Sequence, residues 1–310
     1  MSMKAVDLFA GWGGFTEGAT IAGAEVVWAA NHWPLAVEAH EKNHPETIHV
    51  CQDLRQADWT RIPTYDLLLA SPACQGHSTA SQPGRRAYHD EMRATAWAVV
   101  DAAEATAPRA IVVENVPTFS AWRLFPSWRD ALQRLGYKLE IEVANCSAHG
   151  VPQRRRRLFV VATRDDVSVH RRLKQIETPE VPFGPCIDWE DPAPWRSVSQ
   201  ARDGVRLRIE RSRPHLGGVT RFLTQHTTDH FGTPLEEPIR TITTKDHWAV
   251  VDGDRYRPLT VRETARAMGF RDSYAWPDHA TRGDCMTGLG NAVPPPMATA
   301  IVRSVIDCLT

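Results

Sequence analysis

The sequence predicts an α/β fold built on a mostly parallel sheet, with a smaller domain attached, on three observations. Short apolar runs alternate with amphipathic stretches through the first half of the chain. The apolar runs are continuous, as in Ile111-Val112-Val113, and the first of them ends in a glycine turn leading straight into a helical stretch. Continuously apolar strands are buried on both faces, and strands separated by helices pair in parallel.

Taken in order, strands are expected at about 4–9, 25–30, 65–71, 110–114, 138–144 and 157–163, and helices at about 14–22, 34–43, 91–106 and 127–135. Sheets of this kind bind ligands at the carboxyl ends of their strands. The turn from Phe9 to Gly14, the turn at Cys74 and the turn at Glu114 all fall at such ends, so they converge on one crevice. After Thr163 the texture changes. Residues 178–196 carry five prolines and read as a boundary and linker. Val205-Arg206-Leu207-Arg208-Ile209 alternates apolar with basic and is expected as a half-buried strand presenting Arg206 and Arg208 on one face. Helical patterning returns at Thr260 to Gly269 and at Pro294 to Leu309, where a proline is tolerated because a helix's first N–H has no partner. The expected organisation is a domain over 1–177, a smaller one over 178–279, and a segment over 280–310 that returns to the first.

The chain has 310 residues, enough for these two domains, and 42% are hydrophobic. It contains no apolar run long enough to span a bilayer and does not open with a basic and apolar export signal, which points to the cytoplasm. Six cysteines, at 51, 74, 146, 186, 285 and 308, form no CxxC pair or regular spacing, so neither a metal site nor a disulfide framework is expected.

A net charge of −1 argues at first against a nucleic-acid partner, but charge is clustered. From Arg196 to Arg221 seven Arg stand against Asp203 and Glu210, and Arg154 to Arg157 add a second cluster. Arg supplies 31 of the 36 basic residues. Its planar fork suits phosphate and guanine edges, although a GC-rich genome explains the abundance equally well; the clustering carries the inference.

Asp66-Leu67-Leu68-Leu69-Ala70-Ser71-Pro72-Ala73-Cys74-Gln75-Gly76-His77-Ser78 delivers a thiol to the end of an apolar strand. A lone cysteine is most often a small buried hydrophobe, so its reading as a nucleophile depends on its company. That company is Val6-Asp7-Leu8-Phe9-Ala10-Gly11-Trp12-Gly13-Gly14-Phe15, the strand Ile111-Val112-Val113-Glu114-Asn115-Val116 with a carboxylate at its tip, Gln153-Arg154-Arg155-Arg156-Arg157, and Gly290-Asn291-Ala292-Val293-Pro294. In this order and spacing the runs resemble the DNA cytosine-5 methyltransferases from the first strand to the last helix. Only about 176–240 lacks a clear match.

The resemblance implies a Rossmann-like, S-adenosylmethionine-dependent methyltransferase fold, with a hairpin of the sixth and seventh strands and a target-recognition domain over 178–279. It implies methyl transfer to C5 of a cytosine flipped out of duplex DNA, leaving S-adenosylhomocysteine. Phe9, Ala10, Gly11, Gly13 and Gly14 would hold the methionine moiety; the order of glycines differs from G-x-G-x-x-G and no acidic residue ends the second strand, against a dinucleotide. Trp33 would pack on the adenine, Asp53 would accept from its amino group, Pro72 would line the same pocket, and Asn291 with Val293 would close it. Two positions depart from the family pattern. His32 stands where an acidic residue usually grips the ribose, and Ala73 stands where proline usually precedes the nucleophile.

C5 of cytosine is a poor nucleophile until a thiolate adds to C6, the role the resemblance gives Cys74. Glu114 would hydrogen-bond N3 and the exocyclic amine, for which its carboxyl must spend time protonated, as burial favours. Strand alternation puts Arg155 and Arg157 on one face and Arg154 and Arg156 on the other. The family pattern Q-x-R-x-R selects Gln153, Arg155 and Arg157, with Arg157 reaching the cytosine O2 and Arg155 nearby. Gly76 to about Asp90 would clamp the flipped base, with Ser78 on a phosphate. Gln153, Arg206, Arg208 and Thr241 are the remaining candidates for DNA contact.

Duplex DNA is thus the expected partner of a monomer, and a companion restriction endonuclease is left open. A tRNA cytosine-5 methyltransferase would share the core motifs, but clustered Arg in the recognition segment favours DNA. A catalytically inactive DNA-binding homologue would have little reason to keep Cys74 and Glu114 together. A nicotinamide-dependent oxidoreductase is the weakest alternative.

Overall fold

A computed structural model of the chain describes residues 2–73, 95–226, 230–245 and 247–310. Cys74, Ser78 and the expected clamp from Gly76 to Asp90 lie outside the described residues.

The main sheet has seven strands in the order β3-β2-β1-β4-β5-β8-β6. These are β1 (Lys4–Leu8), β2 (Glu25–Asn31), β3 (Ile48–Cys51), β4 (Leu67–Ala70), β5 (Ala110–Asn115), β6 (Lys138–Asn145) and β8 (Arg156–Thr163), while β7 is the short Gln153–Arg154. The first five pair in parallel. Strand β8 is antiparallel to both β5 and β6, which makes the sheet mixed as the resemblance implied. Every residue of β4 and β5 is buried.

Successive side chains on these strands feed opposite cores, as the period of two requires. Leu67, Leu69 and Val112 pack with Met297, Ile301 and Val305 of the last helix, Pro295–Leu309. Leu68, Ala70 and Val113 pack with Val99 and Trp128, on the helices Trp97–Thr106 and Phe125–Arg134. The last helix also lies against α1 (Gly14–Ala22), and small residues permit it: a Cβ on Gly14 would sit 2.1 Å from the Val293 carbonyl oxygen, and one on Gly18 2.4 Å from the Ala298 Cβ. The carboxyl-terminal segment is thereby pressed onto the turn that follows β1. α2 is Pro34–Asn43.

A second sheet of five strands is antiparallel, in the order β11-β10-β13-β14-β9, where β9 is Arg196–Ser197, β10 Arg221–Gln225, β11 Thr233–Pro234, β13 Trp248–Asp252 and β14 Arg255–Pro258. Strand β12 (Ile239–Arg240) pairs instead with β7. The expected strand at 205–209 is corrected: it lies in a helix, Asp203–His215. Val205 and Ile209, four apart, pack with Phe222 and Val251 of the second sheet, so an alternation only five residues long concealed a helical spacing. Arg206 and Arg208 therefore point roughly 200° apart around the helix rather than the same way. No helix among the described residues is long and apolar enough to cross a membrane.

Candidate active site

At the carboxyl ends of β1, β2, β4 and β5 lies a cavity of about 290 Å³. Of the residues assigned to the cofactor, Phe9, Ala10, Gly11, His32, Trp33, Pro72, Asn291 and Val293 line it, joined by Glu114. The turn after β1 is built from three left-handed residues, Phe9 (φ 61°), Gly11 (φ 54°) and Gly13 (φ 74°). A phenylalanine held there is strained, a condition that persists where the surroundings impose it and is typical of functional sites. The Ala10 N–H donates to the Ala30 carbonyl and the Gly13 N–H to the Ala10 carbonyl, which ties the turn to β2 and closes it.

Three assigned residues do not line the cavity. Gly13 and Gly14 shape the turn instead: a Cβ on Gly13 would meet the Tyr274 hydroxyl at 2.8 Å and His40 at 2.9 Å, and Gly14 faces Val293. Asp53 caps the helical turn Leu54–Gln56, and Arg55 grips its carboxylate through Nε and Nη2, holding it below the usual carboxylate range. His32 is exposed, beside Asn31, whose side-chain oxygen accepts from the Trp33 N–H.

Trp12, Ser71, Thr287 and Gly288 line the cavity but were not singled out from the sequence. Trp12 is 1% exposed and stands 5.2 Å from Trp33, ring centre to ring centre. Its indole lies on Gly288 so closely that a Cβ there would fall 1.1 Å from Nε1, and that N–H has no hydrogen-bond partner among the described residues. An aromatic residue between glycines was the available signal.

At the opposite wall, Glu114 is the last residue but one of the buried strand β5, and its Oε1 lies 2.9 Å from Arg157 Nε. Burial pushes the Glu114 carboxyl up from its ordinary range, against the opposing pull of Arg157 and Arg155. The neighbouring Asn115 amide donates to the Pro72 carbonyl at 3.0 Å, and the Ala73 N–H donates to the Thr95 hydroxyl at 3.2 Å. Pro72 and Ala73, the last described residues after β4, are thus held from β5 and from residue 95. A proline at 73 could not make the second bond because it has no N–H.

The expected alternation holds from Gln153 to Arg157: Gln153 and Arg155 are fully buried, Arg154 and Arg156 are exposed, and Arg157 is half-buried. Burial nevertheless corrects two roles. Arg155 donates to the carbonyls of Ile242, Gly290 and Ala292, so it clamps backbone and does not face the cavity. Gln153 donates to the Ala267 carbonyl and accepts from the Ile242 N–H, which removes it from DNA contact. The Thr241 hydroxyl donates to the Arg154 carbonyl, Arg206 pairs with Asp203, and Arg208 donates to the Gln225 carbonyl. The sequence displayed these donors without showing that backbone carbonyls and nearby carboxylates take them up.

The sequence model of the family described as C-5 cytosine-specific DNA methylase matches residues 3–307. The chain is 26% identical to the Type II methyltransferase M.MthTI of Methanothermobacter thermautotrophicus, over 98% of this chain and 97% of that protein. It is 29% identical to the Type II methyltransferase M.HgiDI of Herpetosiphon aurantiacus, over 98% and 94%. The Dnmt2 methyltransferase of S. pombe superposes with a TM-score of 0.71 over 99% of both chains; at 18% identity that likeness speaks for the fold alone.

Proposed function

Because the chain belongs to the C-5 cytosine-specific DNA methylase family, we infer that the cavity between the Phe9–Gly14 turn and Glu114 is where its reaction takes place. The protein is a DNA cytosine-5 methyltransferase that uses S-adenosylmethionine. The residues present fit that cofactor: a strained glycine turn, aromatic walls from Phe9 and Trp33, and the buried Trp12 N–H beside the same wall. When bound, it supplies the methyl group from its sulfonium. Phe9, Ala10 and Gly11 would bind through backbone, Trp33 would pack on the adenine, His32 and Asp53 would lie at the ribose and adenine edge, and Pro72, Asn291 and Val293 would complete the walls.

For the chemistry, Cys74 attacks C6 of the cytosine while Glu114, neutral, donates a hydrogen bond at N3 and accepts from the exocyclic amine. Arg157 fixes the Glu114 carboxyl and reaches toward O2; Arg155 acts through the backbone it clamps. The Glu114–Arg157 pair is the observation that carries this reading: it supports a protonatable carboxyl beside the Ser71–Ala73 segment that precedes Cys74 in the chain. Domain boundaries at 177 and 279, DNA contact by Ser78, Thr241 and the 178–279 domain, a monomer acting in the cytoplasm, and a companion restriction endonuclease belong to the same reading. The Type II names of the relatives support the last of these.

Bisulfite sequencing of DNA from a host expressing the chain reports activity and recognised word together. Protected cytosines confined to one sequence are expected. Label transferred to tRNA and not to duplex DNA would overturn the reading.

A further inference from the structure

Beneath the cofactor turn runs a chain of buried polar groups that methyl transfer does not require. Asp7, on β1, is fully buried, and its Oδ2 accepts from the Thr16 hydroxyl at 2.8 Å while Oδ1 has no partner among the described residues. His40 Nε2 lies 3.0 Å from the same hydroxyl, and His40 Nδ1 lies 2.8 Å from His49 Nε2. His49 is only partly buried, so the chain reaches the surface. It also touches the turn: His40 and His49 line a small void together with Ala10, Gly11 and Asn31, and the missing Cβ of Gly13 faces His40.

One hydroxyl hydrogen fixes the order of the whole chain. While Thr16 donates to ionised Asp7, it must accept from His40 Nε2–H, which leaves His40 Nδ1 to accept from His49 Nε2–H. If Asp7 is protonated, every bond reverses: Asp7 donates to Thr16, Thr16 to His40 Nε2, and His40 Nδ1–H to His49. Release of the Asp7 proton is therefore a shift along the chain, with one proton leaving His49 to water. His40 stays neutral throughout, since burial and the neighbouring His44 and His49 hold it well below the ordinary histidine range.

We propose that Asp7 is the buried counter-charge of the cofactor turn, titrated through Thr16, His40 and His49, and that its charge discriminates between the sulfonium cofactor and its neutral thioether product. S-adenosylmethionine carries one positive charge more than S-adenosylhomocysteine. A carboxylate two residues before Phe9, screened by protein rather than water, favours the more positive ligand. Other groups around the chain are already balanced or neutral: Glu17 is paired with Arg271, burial holds His44 down at about 4, and Tyr274, whose hydroxyl donates to the Trp12 carbonyl, stays protonated. Glu41 bears on His49, at the outer end of the chain. Burial pushes the Asp7 carboxyl up to about 7, against the hydrogen bond from Thr16, which puts the change of charge near neutral pH.

The proposal rests on the cofactor reading, and binding measurements separate the two. Dissociation constants for both ligands are measured by calorimetry from pH 5.5 to 8.5. In the wild type the ratio of the product's constant to the cofactor's is expected to rise about fivefold to tenfold across this range, and in Asp7→Asn to stay flat. Thr16→Val removes the side-chain hydrogen bond that lowers Asp7 and leaves the backbone one, so the midpoint should move to higher pH, and Thr16→Ser should restore it. This pair decides the matter if Asp7→Asn does not fold. An unchanged slope in Asp7→Asn, or an unmoved midpoint in Thr16→Val, would overturn the proposal alone. A wild type that binds neither ligand would remove the cofactor reading and this proposal with it.

Discussion

Arg157 Nε lies 2.9 Å from Glu114 Oε1, at the wall of a cavity whose other side is the strained turn at Phe9. A guanidinium beside a carboxyl ordinarily secures the ionised form, yet burial here outweighs it and Glu114 is raised. The pair therefore holds a carboxyl in position while leaving it protonatable.

Glu114→Gln keeps a hydrogen-bond donor but cannot pass a proton. Turnover is expected to fall by about 10²–10⁴-fold with cofactor affinity unchanged. In Arg157→Ala the carboxyl loses its nearby cation, so its proton is held to higher pH and the alkaline limb of the pH–rate profile should move upward. Rate profiles of the two variants against wild type check both statements.

Arg155 gives its hydrogen bonds to three backbone carbonyls in a fully buried site. Arg155→Ala should cost about 3 kcal/mol or more, because each carbonyl loses its donor without gaining water. Arg155→Lys should recover little of this, since an ammonium cannot reproduce the planar fork. Denaturant melts measure the loss.

Ala73→Pro would bring the chain to the family's usual residue and remove the N–H bonded to Thr95. The substitution should cost about 1 kcal/mol in the wild type and much less in Thr95→Val, a coupling that a double-mutant cycle in stability reads directly.

Asp7 is raised from 3.8 to about 7 in the folded state. Between those values the folded chain binds more protons than the unfolded one, so stability falls as pH rises through that window and is lowest above about 7. Asp7→Asn should flatten this slope and melt higher than wild type at pH 8, and thermal melts from pH 4 to 8 compare the two.

The main sheet was legible because β4 and the Ala110–Val113 run of β5 are continuously apolar, and Glu114 was legible because it follows such a run near the strand's carboxyl end. The helix Asp203–His215 was not, since Val205 to Ile209 satisfies both periods over so short a span. The helix Arg282–Asn291 went unseen because its Gly288 and Gly290 are poor helix formers, kept for the close approach of Trp12 and Thr243. Arg155 and Gln153 showed their faces but not their partners, which are backbone carbonyls and an N–H from residues about 90 to 140 positions away; no local pattern encodes such a clamp.

Covalent attack on C6 by Cys74 is tested by trapping on DNA. Fluorine at C5 cannot leave as a proton does, so duplex DNA carrying 5-fluorocytosine at the target should remain bonded to the protein in the presence of S-adenosylmethionine. A denaturation-resistant complex is expected for wild type, with the DNA attached at Cys74 on peptide mapping, and none for Cys74→Ala, which should still bind the cofactor. Normal methylation by Cys74→Ala, or a wild-type adduct mapped to a different residue, would contradict attack by Cys74.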